Sequence, residues 1–382
     1  MTVYQQKLTE VIQHLQQGDT DLGYRRLIDC ALDTQNIKVY NTCIALHQWI
    51  ATNPTQETEI KEKSIAFLQT LQAIHIPTVT TNNLILQATD VLKKYNNGVF
   101  TLGPINISIN SGNIIGLVGE NGNGKTTLLR ILANELQHSS GTISYNFCKT
   151  DTSTYNLRTQ LVYIPQRTPT WYGYVQHNLM LTATHYGITG AYNEALVTML
   201  IIRFGLWNYR NRKWNQLSSG YKMRFELART FLRKPKILFL DEPLANLDIL
   251  AQQLILEDLK YMAKSLANPV GIILSSQVLY EVEKISDEVI FLKNGAQDSF
   301  NRLREVENNT ATTLLEIESN TTKEALQQAL QNLQVSITLN GGTYTLEAER
   351  VTANEILIAL VHGGINLNYY RNITYSTRRL FK

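Results

Sequence analysis

The stretch that decides the fold is Gly119–Thr126, with the sequence GENGNGKT. It matches the phosphate-binding pattern of a glycine, four residues of any type, and then Gly-Lys-Ser/Thr. An apolar segment at 113–118 precedes it and predicts a strand, and leucines at helical spacing from Leu128 to Leu136 predict a helix after it. A Gly-rich turn capping an ordinary helix is the alternative, but the strand before and the helix after favour a nucleotide site.

The residue types of this loop suit a nucleotide. Glycines lack a Cβ, so the loop can wrap a phosphate with its backbone N–H groups pointing inward. The start of the helix adds unpaired donors and a partial positive charge. Lys125 is predicted to reach the β- and γ-phosphates, and the Thr126 hydroxyl to ligate Mg²⁺. The predicted ATP ligands of the loop are Gly119, Glu120, Asn121, Gly122, Asn123, Gly124, Lys125, Thr126 and Thr127.

Composition narrows the classes of protein. The chain has 382 residues, of which 43% are hydrophobic and 18% charged, as in ordinary soluble proteins with two or three domains. A net charge of +3 is too small to indicate a nucleic-acid partner. No apolar stretch reaches the length of a membrane span, and Met1–Gln17 lacks the apolar core of a signal peptide. The three cysteines are odd in number and far apart, which favours a reduced, cytoplasmic setting.

Periodicity predicts an α/β protein in three parts. Residues 1–82 carry four amphipathic stripes and are predicted to form a helical N-terminal domain with its own core, so that a chain starting near Asn82 still folds and binds ATP. Strands and helices alternate over 83–305, the ATP-binding domain, with a helical and aromatic part at about 171–233. Residues 306–382 follow the order β-α-β-β-α-β, which predicts a small ferredoxin-like α+β domain.

Further candidate residues follow one another along the ATP-binding domain, in the order Tyr95, Gln166, Ser218, Gly220, Asp241, Glu242 and Gln277. The carboxylate pair follows a predicted buried strand at 236–240 that is apolar from Ile237 to Leu240, which favours a functional site over a solvated loop. With these features, Leu84–Asn294 resembles the ATP-binding cassette (ABC) family, specifically the nucleotide-binding subunit of a transporter. The resemblance implies a P-loop NTPase fold of the RecA type.

The resemblance also implies roles for individual residues. Tyr95 is expected to stack on adenine, with core packing as the alternative. Gln166 is expected to contact Mg²⁺ and the attacking water, and to couple the site to a transporter partner. Asp241 is expected to hold Mg²⁺ through water, while Glu242 polarises the attacking water as general base.

The segment 217–221, LSSGY, is similar to the family signature, although Ser219 and Tyr221 replace its usual Gly and Gln. Ser218 and Gly220 are expected to cap the γ-phosphate of ATP bound to the opposite subunit, which implies a dimer. A plain serine N-cap is the alternative for Ser218. Leu247-Asp248 matches the dimer-contact loop of the family.

One position departs from the family pattern, since Gln277 stands where the switch histidine is expected. A glutamine amide can donate to the γ-phosphate but cannot take a proton, so binding is expected to survive and hydrolysis to be slow. Trp171, Tyr172 and Tyr174 follow Gln166 closely, where the family forms a groove for a helix of the membrane partner. Core packing is the alternative for these three aromatic residues.

The function that the resemblance implies is that of an ATP-hydrolysing subunit of an ABC transporter. Such a subunit binds Mg-ATP between two copies, lies on the cytoplasmic face of the membrane and drives a separate transmembrane permease subunit. The C-terminal pattern, including Asn372-Ile373-Thr374 and Arg378–Phe381, looks like that of ABC-2-type exporters. The alternatives are a soluble ABC ATPase without a transport role and a regulatory ATP-binding module with slow hydrolysis.

Overall fold

The structure is a computed structural model that describes residues 2–76, 83–95, 100–147, 154–278, 282–298, 312–340 and 342–374. The predicted boundaries near 82 and 305 fall outside these segments, as do Cys148 and the predicted feature at Arg378–Phe381. Within the described segments, every helix is too short or too polar to cross a bilayer.

Four helices precede the first strand, namely α1 (Val3–Gln16), α2 (Thr20–Asp33), α3 (Ile37–Thr52) and α4 (Glu57–Leu71). Three of them begin at side-chain caps. Thr2 and Gln5 form a reciprocal capping box on α1, while Asp19 caps α2 and Asn36 caps α3. These starts explain why the predicted stripes are separated where they are.

The middle of the chain alternates strands and helices. Its strands are β1 (Leu84–Lys94), β2 (Thr101–Asn110), β3 (Ile114–Val118), β4 (Ser140–Tyr145), β5 (Leu161–Ile164), β6 (Ile237–Leu240), β7 (Gly271–Ser276), β8 (Glu288–Lys293) and β9 (Ala296–Asp298). Its helices are α5 (Lys125–Leu132), α6 (Thr154–Gln160), α7 (Val175–His185), α8 (Gly190–Arg203), α9 (Ser219–Arg233) and α10 (Ile249–Ala263).

A parallel sheet in the order β5-β6-β7-β3-β8, extended by antiparallel β9, positions the candidate site. Strands β3, β6 and β7 are buried along their whole length, as expected for parallel strands covered on both faces. The loops after β3, β5, β6 and β7 therefore meet at one edge of the sheet, where such folds bind their ligands. A second, antiparallel sheet in the order β2-β1-β4 packs beside it.

The C-terminal part has its own apolar core and sheet. It contains β10 (Thr312–Glu318), α11 (Lys323–Ala329), β11 (Val335–Asn340), β12 (Thr343–Glu349), α12 (Ala353–His362) and β13 (Tyr369–Asn372). The four strands form an antiparallel sheet in the order β11-β12-β10-β13.

The N-terminal helices do not keep a core to themselves, contrary to the expectation from their stripes. Their buried residues belong to one continuous apolar cluster with those of α8, α9 and α10. Helices α2 and α3 pack directly against α8, where the rings of Tyr40 and Tyr192 stack with centroids 5.8 Å apart. Amphipathic periodicity shows that a helix has an apolar face, but it does not show which helix covers that face.

A buried ion network joins the same two parts. Arg203, at the end of α8, donates to Asp29 of α2 and, at 2.5 Å, to Asp258 of α10. Arg25 donates to the same Asp258 oxygen at 2.7 Å, and Arg26 bonds Glu257 at 2.7 Å. Helix α2 is therefore tied by charge to two helices of the cassette.

Candidate active site

The phosphate loop lies between β3 and α5, and its last glycine sets the start of the helix. Gly124 has φ +93° and precedes α5 directly, so its backbone is in the region that favours glycine. A Cβ there would lie 2.8 Å from the Leu102 side chain. Lys125 folds back over the loop and donates to the carbonyls of Gly119, at 2.7 Å, and Glu120, at 3.2 Å.

A cavity of about 420 Å³ opens beside this loop. Its lining consists of Tyr95, Phe100, Asn121, Gly122, Gly124, Lys125, Thr126, Thr127, Gln166 and Glu242. The structure thus brings loop residues together with Gln166, from the end of β5, and Glu242, from the end of β6. All of these except Phe100 were predicted from the sequence.

Asp241 lies behind the cavity and is almost fully buried. Its carboxylate oxygen Oδ2 accepts from the Thr126 hydroxyl at 2.7 Å and from the Tyr163 hydroxyl at 3.2 Å. Its other oxygen, Oδ1, accepts from the Ser275 hydroxyl at 2.8 Å. Burial and the neighbouring Asp241 charge raise the pKa of Tyr163, so this hydroxyl keeps its proton and acts as a donor.

The donor set at this point fits a hard divalent cation. The Thr126 hydroxyl and the Asp241 carboxylate are oxygen ligands that already approach each other to 2.7 Å. Mg²⁺ prefers oxygen ligands and is bound in such sites by one or two protein groups together with phosphate oxygens. These two residues are therefore suited to hold Mg²⁺ against a nucleotide in the adjoining cavity.

Glu242 is held between the loop and β7. Its Oε1 lies 3.3 Å from the Lys125 ammonium, within ion-pair distance but without hydrogen-bond geometry. Its backbone N–H donates to the Ser275 hydroxyl at 2.9 Å, and its backbone has φ +49°. Glu242 thus lines the cavity beside Lys125, and its backbone is held by Ser275 of β7.

Tyr95 lies at the rim of the cavity and is 41% exposed. Its hydroxyl is 3.5 Å from the Thr127 hydroxyl, and the Lys93 ammonium lies 5.5 Å from its ring centroid. An exposed aromatic ring at the rim can stack on a base, whereas a ring packed in the core could not. Phe100, on the same rim, was missed because no pattern distinguishes a single phenylalanine from a core residue.

Several predicted residues do not line the cavity. Asn123 instead braces the loop by accepting from the Asn294 N–H at 3.0 Å. Ser218 is the exposed N-cap of α9. Gly220 is buried, and a Cβ at this position would lie 3.3 Å from the Cβ of Ala251. Gln277 is exposed after the end of β7. Ser218 and Gly220 of the signature segment are thus absent from the lining of this cavity, although Ser219 lines a neighbouring cavity with Gln166 and Glu242.

The aromatic residues after Gln166 divide between packing and exposure. The Trp171 indole N–H donates to the buried Glu226, and the Arg229 guanidinium lies 3.4 Å from the Trp171 ring centroid. Burial raises the pKa of Glu226 against the opposing effect of Arg229. Tyr172 is 89% exposed and Tyr174 is partly exposed. These two therefore form an accessible surface a few residues from Gln166.

The chain matches the family described as ABC transporter over residues 102–245. NatA of Bacillus subtilis, an ABC transporter ATP-binding protein, is 28% identical over 50% of this chain and 77% of its own. The Nod factor export ATP-binding protein I of Burkholderia orbicola is 30% identical over 54% of this chain and 67% of its own. The spermidine/putrescine import protein PotA of Mycoplasma mycoides is also 30% identical, over 59% and 64%. Import and export proteins are thus about equally similar to this chain.

Among solved structures, CbiO1 of Clostridium perfringens, described as part of an ABC transporter complex, superposes with a TM-score of 0.51. It is 26% identical and covers 60% of this chain and 96% of its own. The cassette MJ0796, solved as a dimer with ADP and phosphate, shares the fold with a TM-score of 0.50 at 21% identity, over 57% of this chain and 99% of its own. With the cavity described above, these likenesses show that the chain belongs to the ABC transporter family as an ATP-binding cassette, and that it is an ATPase.

Proposed function

We propose that the chain hydrolyses Mg-ATP between two copies of itself and thereby drives a separate membrane subunit. The observation that supports this most strongly is the single cavity shared by Lys125, Thr126, Gln166 and Glu242, with Asp241 bonded to Thr126 behind it. Phosphate-binding, metal-binding and proton-accepting groups from three separate loops meet there, as ATP hydrolysis requires.

The residues divide the chemistry among them. Backbone N–H groups of the loop and the Lys125 ammonium bind the β- and γ-phosphates and offset the charge that develops as the terminal phosphoryl group is transferred. Gln166 orients the attacking water, and Glu242 accepts its proton as the water oxygen bonds to phosphorus and the bond to the ADP oxygen breaks. Bound Mg²⁺, held by Thr126 and Asp241, supplies further neutralisation of phosphate charge.

A second copy completes the site in this proposal. Ser218 is exposed at the start of α9, where unpaired N–H groups favour an anion. It does not line the cavity of its own chain, so its natural ligand is the γ-phosphate in another copy. Leu247 lies beside Gly220, and Asp248 caps the start of α10 next to it. A cassette of the same fold that forms a dimer supports this arrangement.

The membrane partner docks near Gln166 in this proposal, and the protein then lies on the cytoplasmic face of the membrane. The accessible Tyr172 and Tyr174 support that surface, as does the likeness to CbiO1, which belongs to a transporter complex. Three further proposals come from the sequence: export as the direction, a ferredoxin-like domain over 306–382, and a role for Gln277 at the γ-phosphate. The predicted helical N-terminal domain over 1–82 is proposed as a part that shares its core with the cassette.

Two substitutions test the assignment of the site. Glu242→Gln keeps the shape of the side chain but removes the base, so we expect Mg-ATP to bind normally, hydrolysis to fall at least about 100-fold and a nucleotide-bound dimer to accumulate. Lys125→Ala removes a point charge on the phosphates, so we expect nucleotide affinity itself to fall. Steady-state ATPase rates, fluorescent-nucleotide titrations and light scattering measure the three effects.

Glu194→Gln, an exposed carboxylate on α8, is the matched control and should behave like the wild type. If Glu242→Gln hydrolysed ATP at the wild-type rate, another group would be the base. Co-purification of a membrane protein with the full chain from solubilised membranes separates a transporter subunit from an ATPase without a transport role.

A further inference from the structure

We propose that Ser275 is a positioning residue for hydrolysis, fixing both the backbone of Glu242 and the carboxylate of Asp241. This inference rests on the proposed function, since it takes Glu242 as the base. Ser275 does not contact the nucleotide cavity and acts only through these two neighbours. No pattern in the sequence singles it out.

The sheet register brings the three residues together. Leu240 of β6 pairs in parallel with Leu274 of β7, so the residues that follow, Asp241 and Ser275, stand side by side where the strands end. Ser275 is completely buried. Its hydroxyl donates to Asp241 Oδ1 at 2.8 Å and accepts from the Glu242 N–H at 2.9 Å. One hydroxyl thus uses its donor and an acceptor position on adjacent residues of the other strand.

The Glu242 backbone needs such support. Its φ of +49° lies in the left-handed region, which is unfavourable for any residue with a Cβ. Pro243 follows, and a proline pushes the residue before it towards extended backbone. Two local preferences therefore oppose the observed conformation. The bond from the Glu242 N–H to Ser275 is a contact that stabilises it, and strained backbone of this kind persists only where its surroundings hold it.

The Asp241 carboxylate is held by three hydroxyl groups with different tasks. Thr126 and Tyr163 both donate to Oδ2. Among the described residues, Ser275 is the single donor to Oδ1. Without it, rotation of the carboxylate about its bond to Cβ is resisted by the two bonds to Oδ2 but no longer by a bond to Oδ1, so the direction of Oδ2 towards Thr126 is less well fixed. The same hydroxyl therefore sets the geometry of both the metal ligand and the base.

Two variants measure this role. In Ser275→Ala the hydroxyl is absent, and in Ser275→Cys a thiol of nearly the same shape is only a weak donor. Because small misplacements of catalytic groups have large effects on rate, we expect kcat to fall about 10-fold or more in both variants, with KM for ATP changing less than about threefold. We expect the Mg²⁺ concentration needed for half-maximal binding of a fluorescent ATP analogue to rise severalfold, and binding of the analogue in EDTA to stay unchanged.

Ser64→Ala is the matched control, because Ser64 is a buried serine of α4 whose hydroxyl has no hydrogen-bond partner within the described part of the chain. It should keep wild-type kcat and Mg²⁺ dependence. A wild-type kcat in either Ser275 variant overturns the inference, as does an equal loss of affinity for the analogue in EDTA, which would indicate a merely structural role. If Ser275→Ala yields no folded protein, Ser275→Cys decides alone. Failure of the proposed function shows up separately, as full activity in Glu242→Gln.

Discussion

The active site and the interface between α2 and the cassette both place charged side chains in nearly dry surroundings, but they are built differently. At the active site, Lys125 belongs to one short motif, and Asp241 and Glu242 are neighbours in sequence. At the interface, Arg203 meets Asp29, 174 positions away, and Asp258, 55 positions away. The active-site residues belong to short sequence motifs that directly follow strands of one sheet. The interface residues come together only because three helices pack against one another.

This difference separates what each region contributes. The active-site cavity is open to a ligand, so its residues can change with limited effect on the fold. At the interface, Arg203, Asp29 and Asp258 are buried, and among the described residues their charges are balanced by one another and by neighbouring arginines. Removing one partner of a buried pair leaves an uncompensated charge, which is strongly destabilising. The candidate active site therefore lies at residues that sequence motifs identify. Folding stability depends in addition on the ion network between α2, α8 and α10, which no sequence motif identifies.

The largest expected effect comes from deleting residues 1–76. The deletion would expose the face of α8 against which α2 and α3 pack, and would leave Arg203 and Asp258 without Asp29 and Arg25. We therefore expect the truncated chain to be recovered mostly in aggregates, in contrast to the expectation from the sequence that it folds and binds ATP. Soluble yield, circular dichroism and nucleotide binding measure this.

The comparison variant is full-length Lys125→Ala, which should stay soluble and folded, with a cooperative melting transition, while losing nucleotide affinity. Together the two proteins separate loss of fold from loss of site. A soluble truncation with a cooperative melting transition and wild-type ATP affinity would show that the cassette is stable without its N-terminal helices.

The next effect in size concerns the ion network itself. Arg203→Met keeps the volume of the side chain but removes the most buried cation beside Asp29 and Asp258. Asp29 then keeps its pair with Arg26, and Asp258 keeps its pairs with Arg25 and, at 3.8 Å, Arg224. We expect the free energy of unfolding to fall by about 3 kcal/mol, the lower end for a broken buried pair. Denaturant titration measures this, and ATP affinity of the folded fraction should not change.

Lys264→Met is the matched control, because Lys264 pairs with Asp287 at 3.4 Å on the surface, with about half of its side chain exposed. An exposed pair of this kind contributes at most about 1 kcal/mol. Equal destabilisation by the two variants would mean that the network around Arg203 is no more important than a surface pair.

These expectations indicate how far the sequence alone could predict the molecule. Spacing predicted Lys125 and Thr126, and the apolar strand before it drew attention to Glu242. The resemblance to the ABC family added Gln166 and the role of Glu242, and the structure brings all four residues to one cavity. Ser275 could not be found, because its role depends on the register between β6 and β7, and a serine at the end of an apolar strand is otherwise unremarkable in sequence. Side-chain contacts across parallel strands depend on long-range pairing, which no local pattern encodes.

The helical regions show the same limit. The four N-terminal stripes correctly predict helices with apolar faces, since α1 to α4 are present, but they do not reveal that α2 and α3 face α8. The charges of Asp29 and Arg203 carry no sequence signal either, because each alone resembles a solvated side chain. Both become informative only once the helices are placed together.

The smallest expected effect is a pH dependence at the same interface. The Nδ1 atom of His47 lies 2.9 Å from the Tyr24 hydroxyl, and its ring packs edge-on against Trp207 with centroids 5.0 Å apart. Burial, with a contribution from Arg210, lowers the pKa of His47 from 6.5 to about 4. As the pH falls below 6.5, His47 therefore becomes protonated in the unfolded chain while it stays neutral in the folded chain. The stability that depends on neutral His47 is complete above pH 6.5 and is lost progressively towards pH 4.

We expect His47→Gln, which cannot take a proton, to lose less of its melting temperature than the wild type between pH 7.5 and pH 5, by roughly a few degrees. His185→Gln, at an exposed histidine of α7, should follow the wild type in the same thermal series. Identical pH profiles for the wild type and His47→Gln would show that protonation of this ring does not act on the interface.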